Sequence, residues 1–213
     1  MASIHGSSGR VFVQSGASQA LTNQVAAHVA GSGYTRYQVG ATYRYLNPTA
    51  PIVVQKSTDG GATWPTTVTT GFEIEHAGGF IAFASAQGAS DQFRLASGKY
   101  FTMAEWGGLI NWKLDLSRDM QDITTFGNTF KQFLPGLGEA SGSLEGYWAD
   151  SAELTTITAG TMVMLALYAD YGTPKARYEG YGYLKKDAIE TAVDAVIKES
   201  IDFQLNRVWY HAG

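Results

Sequence analysis

The sequence predicts a mainly β protein, and three observations carry that expectation. Glycine is frequent, 25 of 213 residues, while proline is held to 5, so the chain has many places to turn. Tyr at 12 and Phe at 10 supply side chains that suit a pleated, half-buried surface. Apolar and polar residues also alternate over many short stretches, the period of a strand with one covered face.

Arg10–Gln14 (RVFVQ) is the first apolar strand candidate, and Thr35–Tyr45 follows with Tyr37, Val39, Tyr43 and Tyr45 around Gly40, ended by Asn47-Pro48. Ile52–Gln55 precedes a turn at Ser57–Trp64. The segment GFEIEHAGGFIAFA reads as a hairpin: Phe72 and Ile74 alternate with Glu73 and Glu75, Gly78-Gly79 turns, and Phe80–Ala84 returns. Phe93 and Leu95 alternate towards Tyr100–Met103, and Trp112, Leu114 and Leu116 alternate with Lys113 and Asp115. Phe126, Phe130, Phe133 and Leu134 recur at spacings of three and four, which predicts one short helix near 127–134, stopped by Pro135-Gly136. Strands are expected again in SGSLEGYWAD, in TMVMLALYAD, which is apolar on both faces and therefore central, and in Arg177–Leu184. Ala188–Leu205 fits a helical stripe or a strand, turn and strand. A composition break near Gly98–Met103 suggests an N-terminal β-rich segment, 1–102, and a second part, 103–213, or one continuous domain over 1–213.

Hydrophobic residues make up 45% of the chain and charged ones 16%, enough apolar material for a core and little surface charge, as expected where partners cover the surface. The absence of cysteine excludes disulfide scaffolds and thiolate sites and fits a chain folded in a reducing cytosol. No apolar run is long enough to span a membrane, and MASIHGSSGRVFV lacks the features of a signal peptide, so neither membrane insertion nor secretory export is expected. A net charge of −4 gives no general attraction for phosphates.

Chemistry finds little to work with. None of the four histidines, His5, His28, His76 and His211, has a second at a metal-ligand spacing. Glu73, Glu75 and His76 read as a solvated strand face. No nucleophile elbow, phosphate loop or dinucleotide fingerprint is present. No catalytic residue, cofactor or metal is expected, and the chain is not read as an enzyme.

Ser57-Thr58-Asp59-Gly60-Gly61-Ala62-Thr63-Trp64 resembles the Asp-box hairpin of sialidases and other β-propeller glycosidases, with Ser57, Asp59, Gly61, Thr63 and Trp64 on its pattern. Asp followed by two glycines first makes a tight turn, and a propeller would need several copies at a fixed period. A carbohydrate-active or sugar-binding protein is therefore the alternative reading, with Glu145, beside Tyr147 and Trp148, as its best single carboxylate.

The order of several stretches resembles the tail tube (major tail) proteins of long-tailed bacteriophages. These are SRDMQDITTFGNTFKQFLPGL, then SGSLEGYWAD, an apolar strand, the E-G-Y-G strand and a last segment ending IKESIDFQLN. The tyrosine-rich strand closing on Asn47-Pro48, the Asp-Gly-Gly turn, the Gly-Gly hairpin and Phe93–Tyr100 extend the likeness over nearly the whole chain. Asn128 stands where the family pattern often has Asp, and Gln204-Leu205-Asn206 departs from the family's ending. The resemblance favours strand, turn and strand for Ala188–Leu205.

What the resemblance implies is a β-sandwich or barrel-like core with one short helix, in a virion protein made and assembled in the host cytoplasm. Copies would form homo-oligomeric rings stacked into a hollow tail tube. Its partners would be itself and other tail proteins, namely tape measure, tail terminator and distal tail proteins. Viral DNA would pass through the lumen during ejection without specific binding, which a slightly acidic chain suits. Open sheet edges would pair between subunits. Ile4 and His5 in the N-terminal arm, and Ile123, Thr125, Phe126 and Asn128 in the loop, are the candidate inter-subunit contacts.

Overall fold

Strand pairing organises the chain, with 64% of it in strands and 2% helical. The structure, a computed structural model, describes residues 9–126, 129–147, 159–169, 171, 177–190 and 196–212. Among the described residues twelve strands follow in order. They are β1 (Arg10–His28), β2 (Arg36–Val39), β3 (Val53–Ser57), β4 (Thr66–Val68), β5 (Phe72–Glu75) and β6 (Phe80–Phe83). Then come β7 (Gln92–Glu105), β8 (Leu109–Asp122), β9 (Phe133–Tyr147), β10 (Val163–Tyr168), β11 (Arg177–Glu190) and β12 (Lys198–Ala212). The mainly β expectation holds, and among the described residues no closed barrel forms.

The chain divides into two compact units. Unit 1 comprises Met1–Trp106, Met164–Gly180 and Val208–Gly213. Its strands run β4-β3-β7-β1-β10, with β2 pairing β1 and β6, and β5 pairing β6. The β5–β6 hairpin is the expected one, in the register Phe72↔Phe83 to Glu75↔Phe80, and Gly79 turns it at φ 68°, where a side chain would run into Arg44. Tyr37, Phe83 and Phe93 pack as an aromatic trio, with ring centroids 4.5–5.8 Å apart, inside a core completed by Leu21, Leu46, Val54, Ile81 and Leu95. All six residues of β10 are buried, as its apolar sequence requires.

Two expectations for unit 1 change. β1 runs through Ser15–His28 as well, across a register shift between Ser15 and Gln19 beside Gly16 at φ 69°. This bulge lets a polar stretch continue as a strand against β7. Conversely, the tyrosine-rich strand stops at Val39, and Ala41–Tyr43 form a 3-10 turn.

A buried ionic cluster also lies in unit 1. Glu179 has no exposed surface, and its Oε1 accepts from Arg44 Nη2 at 2.7 Å, Arg177 Nε at 2.9 Å and the Tyr45 hydroxyl at 2.9 Å. Burial alone would lower the Arg44 pKa and is the largest single influence, but the Glu179 charge together with Tyr45 and Tyr168 outweighs it, and the net shift is upward. Burial, reinforced by the Glu179 charge, also holds the Tyr45 hydroxyl well above its ordinary pKa.

Unit 2 comprises Gly107–Val163 and Tyr181–Arg207, with strands in the order β11-β12-β9-β8. Ile201, Phe203 and Leu205 alternate into its core with Leu144 and Leu184. Within Ala188–Leu205, Ala188–Glu190 end β11 and Lys198–Leu205 belong to β12, as the strand reading expects, while the expected turn between them falls on 191–195, outside the described residues. The expected helix near 127–134 is overturned: among the described residues none of this stretch is helical, and Phe133 and Leu134 open β9 opposite Asp122 and Gln121. Their spacing fits a helix, but pairing with β8 satisfies their backbone groups instead.

Candidate interaction surface

β8 and β9 form one long antiparallel hairpin whose two halves differ. Near its base, β9 is sandwiched, pairing β8 on one side and β12 on the other through Ser141–Tyr147. Further out, from Leu116↔Ala140 to Asp122↔Phe133, the described pairing is between β8 and β9 alone. Pro135 sits in this outer half, where a missing N–H breaks no ladder on the open side.

The apolar alternation that begins at Trp112 and Leu114 continues outward with no described residue covering it. Every residue from Asp115 to Asp122 and from Phe133 to Glu139 is exposed, including Leu116, Met120, Phe133 and Leu134. Phe133 and Leu134 are neighbours on a strand and therefore face opposite sides of the ribbon. Leu137 is 87% exposed, and Phe126 and Phe130 at the tip are 110% and 82% exposed. Fully burying one such side chain is worth about 1.5–3 kcal/mol, so this outer half, hereafter the arm, has a strong drive to be covered.

Local hydrogen bonds hold the tip in shape. Asp122 Oδ1 accepts from the Thr124 N–H at 2.9 Å and from its hydroxyl at 2.5 Å, and Thr124 Oγ1 accepts from the Gln132 N–H at 2.9 Å. The Ile123 N–H donates to the Gln132 carbonyl at 2.9 Å. The Thr124 side-chain and backbone hydrogen bonds favour the ionised Asp122 and lower its pKa.

Of the residues expected from the sequence at inter-subunit contacts, Ile123, Thr125 and Phe126 fall together at this tip. Ile4, His5 and Asn128 lie outside the described residues. Phe130, Leu137, Met120 and Leu116 were assigned other roles or none by the sequence reading. The signal that could have found them is a density of large apolar residues around Pro135-Gly136 too high for a solvated loop.

β8 is also an edge. It ends the strand order of unit 2 and is 14 residues long, with Ile110 exposed near its start. The other end of the hairpin borders a cavity of about 320 Å³, whose lining includes Ile110, Glu145, Ile189, Glu190, Lys198 and Glu199. Glu145, the sequence's best sugar-site carboxylate, lies here and accepts a long hydrogen bond from Asn111 at 3.4 Å.

The Asp-box residues form a self-contained turn in unit 1, between β3 and β4. The buried Ser57 hydroxyl donates to Asp59 Oδ1 at 2.5 Å and accepts from the Gly61 N–H at 2.9 Å. Thr63 donates its N–H to Asp59 Oδ1 at 3.0 Å and its hydroxyl to Oδ2 at 2.6 Å. The Ser57 bond, followed by those from Thr63, holds the Asp59 carboxyl far below the usual carboxylate range. Gly60 and Gly61 have φ of 74° and 89°, the left-handed region the turn needs. Trp64 is covered by Arg94, whose guanidinium lies 4.6 Å from the ring and is steadied by Gln55 Oε1. Both Asp59 oxygens thus serve the turn, and Trp64 stacks on a cation. Among the described residues no group of three or more His, Asp or Glu side chains could hold a metal ion.

In solved structures the chain is similar to a chain in the tail of an empty gene transfer agent particle with C6 symmetry, at 12% identity and a TM-score of 0.46 over 52% of this chain and 87% of that one. It is also similar to a chain in the virion of a native gene transfer agent particle, at 12% identity and a TM-score of 0.46 over 52% and 89%. No protein-family model and no curated protein matches the sequence.

Proposed function

We propose that the chain is a structural subunit of a phage-type tail that self-assembles into stacked rings, forming a hollow tube through which DNA is ejected. The observation that carries this reading is the exposed apolar arm of β8 and β9. A monomer that leaves Phe126, Phe130 and Leu137 in water is incomplete in the energetic sense, and a large exposed patch marks an interaction surface. The ordered motifs of the sequence, which resemble tail tube proteins, support the same conclusion. The long edge of β8 gives a second surface, since its outer backbone groups are a template for a strand of a neighbouring copy.

On this reading the chain is not an enzyme, and its partners are further copies of itself and the proteins that start, measure and terminate a tail. On the same reading Ile123, Thr125, Phe126 and Asn128 in the loop, and Ile4 and His5 in the N-terminal arm, make ring-to-ring contacts. Its place is the virion, reached by assembly in the host cytoplasm. The sugar-binding alternative loses support because the Asp-box side chains are consumed within their own turn.

The test is negative-stain electron microscopy of the concentrated, untagged protein alongside light scattering. Rings or hollow tubes of one diameter are expected. A chain that stays monomeric across the whole accessible concentration range would overturn the proposal.

A further inference from the structure

The hairpin of β8 and β9 carries at its two ends features that complement each other. At the base, Ile110 and Ile189 give the cavity apolar walls, while Glu145, Glu190 and Glu199 surround it with three carboxylates against the single ammonium of Lys198. Its volume of about 320 Å³ lies at the small end of the ~300–1,000 Å³ range of ligand pockets, the size for one or two inserted side chains rather than a whole domain. At the tip, Phe126 and Phe130 are the two most exposed aromatics among the described residues, and Lys131, next to Phe130, is the one charged residue in the sequence from Ile123 to Gln132. An apolar, acidic recess therefore matches the Phe130–Lys131 side of the tip, where a phenyl ring and a cation adjoin, while the Asp122 carboxylate at the tip is occupied by its hydrogen bonds from Thr124.

The two features cannot meet within one chain. β8 separates them along its 14 residues, and at ~3.3 Å per residue an extended strand of that length covers roughly 45 Å. The complement of each tip is therefore the cavity of another copy.

We propose that this cavity receives the Phe130–Lys131 tip of a second copy of the chain. The phenyl ring enters between Ile110 and Ile189, and the Lys131 ammonium faces Glu145 and Glu190. This rests on the reading of the chain as a self-assembling tail subunit and names the place where copy meets copy. Because donor and acceptor are different surfaces, the contact is head-to-tail and leaves a free tip and a free cavity at the ends of every open chain of copies. Each link advances the assembly by about the length of the hairpin, roughly 45 Å. Acidic residues on the receptor and a lysine on the tip also disfavour the tip-to-tip and cavity-to-cavity arrangements, in which like charges would meet.

The chain has no cysteine, so the contact can be trapped directly. The double variant Phe130→Cys with Ile189→Cys, kept at assembling concentration and mildly oxidised, is expected to give a ladder of dimers, trimers and longer species on a non-reducing gel. Each single variant should stop at dimers. In a second experiment, Phe130→Ser, a change at an exposed position, should raise the concentration needed for assembly about tenfold or more. Lys131→Glu should weaken assembly, and adding Glu190→Lys should restore it. The axial repeat of the particles should be close to the hairpin's length, about 45 Å.

If tubes form but the double variant cross-links no further than the single ones, the docking site is wrong while the assembly reading stands. If the unaltered chain forms no particles and the double variant no ladder, both fall together.

Discussion

At the scale of single residues, Glu179 carries the largest local consequence. Three donors converge on one oxygen of a carboxylate with no exposed surface, and two of them are guanidinium groups. Glu179→Gln keeps the volume and removes the counter-charge, leaving Arg44 and Arg177 buried beside a neutral amide. Removing one partner of a buried ion pair costs about 3–5 kcal/mol, so the urea midpoint should fall steeply. Gly142 makes a steric prediction: a methyl group there would run into the Lys113 carbonyl and the ring of Phe203. Gly142→Ala should destabilise unit 2 by about 1–3 kcal/mol. Asp122 makes a prediction in pH. Its pKa is lowered in the folded chain, so the hydrogen bonds it accepts persist as pH falls towards 3.8, the ordinary aspartate value, and are lost only below it, as pH passes through the depressed value. The Thr124 amide resonance, followed from neutral to acid pH, should move with a midpoint below 3.8, and in Asp122→Asn this transition should vanish.

At the scale of elements, the arm should behave as an autonomous determinant of assembly. Leu137→Ser, at a position 87% exposed, should leave the thermal midpoint of the unassembled chain nearly unchanged and shorten or abolish particles, as seen by light scattering. The same elements show what a sequence reveals. The β5–β6 hairpin was legible because strict alternation and a Gly-Gly turn act locally, and β10 because a run of six buried apolar residues leaves no exposed face. β1 was legible only at its start. Its later residues, such as Ser15, Gln19 and Thr22, have no strand signature of their own and are held by pairing with β7, whose partners lie far along the chain, from 67 positions at Ala26↔Phe93 to 81 at Gln19↔Tyr100 and beyond. The helix expected near 127–134 failed for a related reason. A three-and-four spacing of phenylalanines implies one face packed on a core, yet in unit 2 these side chains face water on the arm. Periodicity records which side chains need covering, but not whether the cover comes from the same chain.

For the whole molecule, the formal charge of −4 gives no net attraction for phosphates. Duplex DNA mixed with the protein should therefore show no retardation in a gel at moderate salt. The candidate site was legible in part for the same reason as the fold: Ile123, Thr125 and Phe126 stand in one continuous motif, whereas Ile110, Glu145, Ile189 and Glu190 are brought together by three strands distant in sequence. The arm has one more property. Arg118 and Lys131 both lie on it and both are exposed. A protease that cuts after basic residues should clip the free chain there first, and any state in which the arm is covered should resist. Cleavage at Lys131 is thus a clock that runs in the unassembled subunit and stops in the particle, so one gel lane read over time reports the fraction assembled.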